Sequence, residues 1–82
     1  MRMLDVEKKQ SVWNLQLYLT EAEAKELYSE LGKLLADPEA NEHFHVFSED
    51  SGRELSCSIV TRKKMKNISA YSKLERKVLM DK

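Results

Sequence analysis

His43 and His45 are the side chains in this 82-residue chain whose type and spacing come nearest to site chemistry. On a strand, residues two apart share a face, with Cα atoms about 7 Å apart. Two imidazoles at that spacing are half of a zinc site, and Glu54 offers a third ligand. Zinc takes four ligands, or three with an open position. The remaining donor, Cys57, is assigned to the opposite face, so solvated or hydrogen-bonded histidines are the favoured reading. No metal or cofactor is expected.

Nucleophilic catalysis has less support. A thiol at Cys57 on the inward face is a small apolar filler, and a buried thiol is not activated. Ser56 or Ser58 beside His45 would form a dyad with no oxyanion-hole segment and no cleft-forming loops. There is no glycine-rich phosphate loop. The expectation is a protein that is not an enzyme.

The elements that position these residues read clearly. Residues 43–48 and 54–62 alternate in polarity on either side of a turn-type segment, residues 49–52, which is the pattern of a hairpin. Opposed residues of an antiparallel pair share a face. Pairing Val46 with Leu55 and Phe44 with Cys57 buries one side of both strands. It leaves a four-residue loop with Gly52 where positive φ is expected. The other face then carries His43, His45, Phe47, Glu54, Ser56, Ser58 and Val60. A one-residue slip would place Phe44 and Val46 opposite serines.

Upstream, Trp13, Leu15, Leu17 and Leu19 recur at every second position. They predict a strand over residues 11–19 that adds Asn14, Gln16 and Tyr18 to the polar face. Residues 1–10 read as a frayed lead-in. Thr20 and Glu23 form a capping-box pattern that opens a helix over residues 20–36. Its stripe is Ala24, Leu27, Leu31, Leu34 and Leu35, with Tyr28 alongside. Asp37 before Pro38 ends it. Gly32 is expected to allow close packing against the sheet. Ile68, Tyr71, Leu74 and Val78 predict a second helix over residues 68–80.

The fold expected is therefore α+β, one domain over residues 1–82. A three-stranded antiparallel or mixed sheet of order β-α-β-β carries the capped helix on one face, with a C-terminal helix after it. The candidate partner-binding surface is Tyr18, His43, His45, Phe47, Glu49, Asp50, Ser56 and Ser58. Tyr, Ser and Asn on one face suit recognition. The plain alternative is the wet side of an antiparallel sheet.

Composition limits the classes. Lysine plus arginine and aspartate plus glutamate are 14 each, so the formal net charge is zero. Residues 1–60 hold 6 basic and 12 acidic residues, and residues 61–82 hold 8 and 2. The basic end, Arg62, Lys63, Lys64 and Lys66, makes nucleic-acid binding or a regulatory role an alternative, against a pI near 6.7. Glu21, Glu23, Glu26 and Glu30 are expected along the exposed side of the first helix, where they would meet a basic partner. One cysteine, no apolar segment of spanning length and no signal-type leader give a cytoplasmic expectation without membrane association. A homo-oligomer pairing through a sheet edge or the terminal helix is a third reading.

The run His43-Phe44-His45-Val46, the acidic Ser48-Glu49-Asp50-Ser51-Gly52 turn and Glu54-Leu55, after a Leu-rich helix, resemble small α+β immunity proteins of bacterial polymorphic-toxin systems. The resemblance covers roughly residues 13–60. It implies a cytoplasmic, non-enzymatic protein that binds and blocks a cognate toxin, with His43, His45 and the adjoining loop as first contacts. The basic tail departs from that pattern and leaves the polarity of the partner open.

Overall fold

The computed structural model describes residues 1–40 and 43–80. The order is β1 (Leu4–Asp5), β2 (Gln10–Ser11), α1 (Glu21–Ala36), β3 (His43–Phe47), β4 (Glu54–Ser58), α2 (Arg62–Lys66), a 3-10 turn (Ile68–Ala70) and α3 (Lys73–Leu79). The fold is α+β. The chain divides into two compact units, Met1–Leu17 with Asn67–Lys82, and Tyr18–Lys66. Among the described residues, no helix is long and apolar enough to cross a membrane.

The second unit holds the hairpin and α1. Thr20 caps α1 with a complete capping box: Glu23 N donates to Thr20 Oγ1 at 3.2 Å and Thr20 N to Glu23 Oε1 at 2.8 Å. These bonds satisfy amides that the first helical turn leaves free. The helix stops at Asp37, whose amide returns to Leu34 O at 3.2 Å, and Pro38 follows. β3 pairs antiparallel with β4 in the expected register, Val46 opposite Leu55 and Phe44 opposite Cys57. Leu34, Phe44 and Val46 form the buried core, with Leu27, Cys57 and Ile59 packed against it.

The strand expected over residues 11–19 does not form. The described residues contain two two-stranded sheets, β1-β2 and β3-β4, and no three-stranded one. Residues 13–19 lie outside both sheets and make no backbone hydrogen bond among the described residues. Alternation gives a segment two chemically distinct sides, but only a neighbouring backbone can supply the ladder. Trp13, Leu15, Leu17 and Leu19 are all exposed. The lead-in instead pairs with itself. Leu4 lies opposite Ser11, Lys8 N donates to Asp5 Oδ1 at 3.0 Å, and Lys9 takes a left-handed φ of 57°.

The C-terminal half departs as well. β4 ends at Ser58 rather than near residue 62, because Thr61 opens a helix: Lys64 N reaches Thr61 Oγ1 at 3.2 Å and Met65 N reaches Thr61 O at 3.0 Å. The single helix expected over residues 68–80 is a 3-10 turn followed by α3. Ser72 is extended, with ψ 162°, and makes a second capping box with Glu75 that starts α3 afresh. Among the described residues, Val78 is the buried one of this unit. Gly32 does not pack on the sheet, since a Cβ there would meet nothing within 4 Å.

Candidate functional site

The outer face of the β3–β4 hairpin is built by parity. Along β3, Phe44 and Val46 are buried while His43, His45 and Phe47 are exposed. Along β4, Leu55 and Cys57 are half-buried while Glu54, Ser56 and Ser58 are exposed. His43 lies opposite Ser58, His45 opposite Ser56 and Phe47 opposite Glu54. The three rings of β3 form a row. His43 and His45 meet edge to face with centroids 4.9 Å apart, and His45 and Phe47 stack at 6.2 Å with planes 21° apart.

His45 is held by the strand opposite. Its Nδ1 contacts Glu54 Oε1 and lies 3.1 Å from Ser56 Oγ. A carboxylate only accepts, so Nδ1 is the donor toward Glu54. This arrangement is unlike a hydrolytic triad, where the carboxylate and the serine occupy opposite ring nitrogens. Glu54 and Ser56 compete for the same nitrogen, and the geometry orients the ring without activating the hydroxyl. Among the described residues, no group of three or more His, Cys, Asp or Glu side chains is placed to hold a metal ion. Burial pushes the Cys57 thiol above its usual range, which disfavours the thiolate.

The turn beside this face is ordered by its own side chains. Ser48 N donates to Arg53 O and Arg53 N to Ser48 Oγ, both at 2.9 Å. Asp50 accepts from the Ser48 hydroxyl and, at 2.9 Å, from Gly52 N. These bonds hold the Asp50 carboxyl below the usual carboxylate range, the Ser48 hydroxyl first. The left-handed residue is Ser51, with φ 59°, and not Gly52. Gly52 serves a different need: a Cβ there would lie 3.3 Å from Asp50 Oδ1, where the carboxylate folds over the amide.

The turn is also tied to α1. Glu49 N donates to Glu23 Oε2 at 3.0 Å, while the other oxygen caps the helix. Glu23 is therefore buried, and its carboxyl is held below the usual range by the Thr20 amide first and the Glu49 amide second. The expected exposed acidic series is thus broken. Glu23 faces the hairpin, Glu21 pairs with Lys25 at 3.0 Å and Glu30 pairs with Lys33 at 3.0 Å. Tyr18 is exposed, but it lies outside both sheets, and so do Asn14 and Gln16. They are not strand members of the hairpin face. Of the surface expected from sequence, the structure brings together His43, His45, Phe47, Ser56 and Ser58 on one face, with Glu49 and Asp50 in its turn. Glu54, expected on this face but not counted in the candidate partner-binding set, belongs with it through its contact to His45. Its place opposite Phe47, diagonal to His45, was available from the register.

The chain matches no family model, no curated protein and no solved structure.

Proposed function

We propose that this chain is a small non-enzymatic protein-interaction module, an immunity-type inhibitor that blocks a bacterial toxin by occluding it in the cytoplasm. The reading rests on the row His43, His45 and Phe47, exposed beside Glu54, Ser56 and Ser58 and next to a hydrogen-bonded turn. The His45 ring, held by cross-strand bonds, loses little entropy when a partner covers it, which is the condition for a binding hot spot. Glu49, with its carboxylate free of ion pairs among the described residues, and Asp50 supply negative charge at the rim.

The test uses the protein encoded by the adjacent reading frame, purified in an inactive form. Calorimetry should show a tight complex with this chain. The double variant His45→Ala with Phe47→Ala should weaken it by about 30-fold or more. Unchanged affinity in the double variant, or no binding of the wild-type chain, overturns the reading.

A further inference from the structure

The inner face of the hairpin is covered unevenly. Phe44 and Val46 of β3 are 7% and 5% exposed, whereas Leu55 and Cys57 of β4, and Ile59 just after it, are only half-buried. α1 packs on β3. The Glu49–Glu23 bond sets the start of α1 beside the turn end of β3, so the two run antiparallel. Ser48 N on Arg53 O fixes the ladder parity, and Phe44 and Val46 turn their backbone groups toward β4. For L-residues, this places β4 to the right of β3 when the inner face is viewed with β3 running upward. A right-handed helix descending over β3 turns to that same side the residues about 40–100° from its Leu27 line. Those residues are Ala24, Tyr28, Leu31 and Leu35, all exposed, with Tyr28 at 83% and Leu35 at 65%. This stripe and the half-buried side of β4 are the two walls of an apolar groove. Glu26, Glu30 and Lys33 turn the other way, and their charge guards the edge of β3.

The edge of β4 below the groove is open. β4 pairs only with β3 among the described residues, and the backbone groups of Glu54, Ser56 and Ser58 point away from β3. We propose that a second copy of this chain fills groove and edge together: β4 pairs antiparallel with β4 of the second copy across a two-fold axis at Ser56, and the two α1 helices lie side by side over the joined sheet. The contact is isologous, so the assembly closes.

Strand and helix agree on one axis. Ser56 lies opposite His45. From Glu49 back to His45 is about 13 Å of strand. The same distance along α1 from Glu23, at about 1.5 Å per residue, ends near Leu31. That is within one turn of the stripe's midpoint, between Tyr28 and Leu31. Across this axis Ala24 meets Leu35 of the second copy and Tyr28 meets its Leu31, small against large and ring against branched chain. In the joined sheet Leu55 lies opposite Cys57, Glu54 opposite Ser58 and Ser56 opposite itself, so no like charges meet. The helix dipoles oppose each other favourably.

The area suits a weak dimer. The stripe and the half-buried residues of β4 leave roughly 500–600 Å² of apolar surface per chain. Two copies bury roughly 1,000–1,200 Å², the lower end of a specific interface, which fits micromolar dissociation. A two-stranded hairpin is marginal alone, and a four-stranded sheet relieves that. The ring row of His43, His45 and Phe47 lies on the opposite face and stays uncovered, so this dimer and partner binding by that row stand or fall separately.

Sedimentation equilibrium of the full chain at high micromolar concentration should give twice the 9.6 kDa chain mass. A mixed sample of labelled and unlabelled chains should show intermolecular proton contacts from Leu55 Hα to Cys57 Hα and from the Tyr28 ring to Leu31. Leu35→Lys and, separately, Tyr28→Lys change exposed side chains and should each weaken self-association about tenfold or more while the helical circular dichroism is kept. A monomeric wild-type chain overturns the proposal. So does a dimer without those intermolecular contacts, or one that both lysine variants leave as tight as before.

Discussion

The two oxygens of the Glu23 carboxylate serve two different elements: Oε1 accepts from the Thr20 amide at 2.8 Å and Oε2 from the Glu49 amide at 3.0 Å. One side chain therefore caps α1 and anchors the β3–β4 turn, 26 residues away in sequence. The helix start and the candidate surface are mechanically one feature. Loss of the cap should be felt at the turn, and through it at the ring row.

That double role predicts an acid limb in stability. Glu23 and Asp50 both have folded values below their ordinary 4.5 and 3.8. A lowered folded value means the unfolded chain binds protons more readily. The stabilisation is complete above the ordinary values and is lost as pH falls through the depressed folded ones. Urea midpoints at pH 7 and pH 3 should fall toward acid. Glu23→Gln, which keeps capping geometry but cannot ionise, should flatten part of that fall, and adding Asp50→Asn should remove more. An equally steep fall in the double variant would show that other carboxylates carry it.

Thr20→Ala probes the same cap without altering charge. Removing an N-cap hydroxyl costs about 1 kcal/mol. In a domain of this size that lowers Tm by about 4–8 °C. Amide exchange should quicken at Glu23, whose amide loses its acceptor, and at Glu49, because fraying of the first turn displaces the Glu23 carboxylate to which the Glu49 amide donates. Exchange that quickens only within α1 would separate cap from turn.

The two glycines should respond with opposite sign. Gly32 is helical, and a Cβ there meets open space, so Gly32→Ala should stabilise by about 0.4–1 kcal/mol. At Gly52 the new methyl would stand 3.3 Å from Asp50 Oδ1. Gly52→Ala should displace that carboxylate and lower the thermal midpoint. Thermal melts of both variants settle the signs.

What could be read from sequence was what local physics decides. Phe44 and Val46 alternate with His43 and His45, and burying one side of a hairpin fixes both parity and register. Thr20 and Glu23 announced the helix start through spacing alone. The misses needed something outside the local window. Trp13 to Leu19 alternate as a strand should, but their sequence holds no information on which backbone lies beside them. The second capping box, Ser72 with Glu75, was present in sequence. The helical spacing of Ile68 and Tyr71 masked it by extending a single helix through Ser72. The Glu23–Glu49 bond joins residues that no periodicity relates.

Phe44 and Phe47 give the sharpest test of the parity on which the candidate surface rests. They lie three residues apart on one strand, with Phe44 at 7% exposure and Phe47 at 50%. Phe44→Ala should cost about 3–5 kcal/mol, a large share of what a small domain has. Phe47→Ala should change stability by no more than about 0.5 kcal/mol, because its ring leaves no buried cavity behind. Partner binding should order the two variants the other way. Phe47→Ala should remain folded by circular dichroism and lose affinity, since it removes one end of the ring row. Phe44→Ala should lose binding only in proportion to the fraction unfolded. If Phe47→Ala destabilised the chain as much as Phe44→Ala, the outer face would be packed against something, and the ring row would be a core element rather than a docking surface.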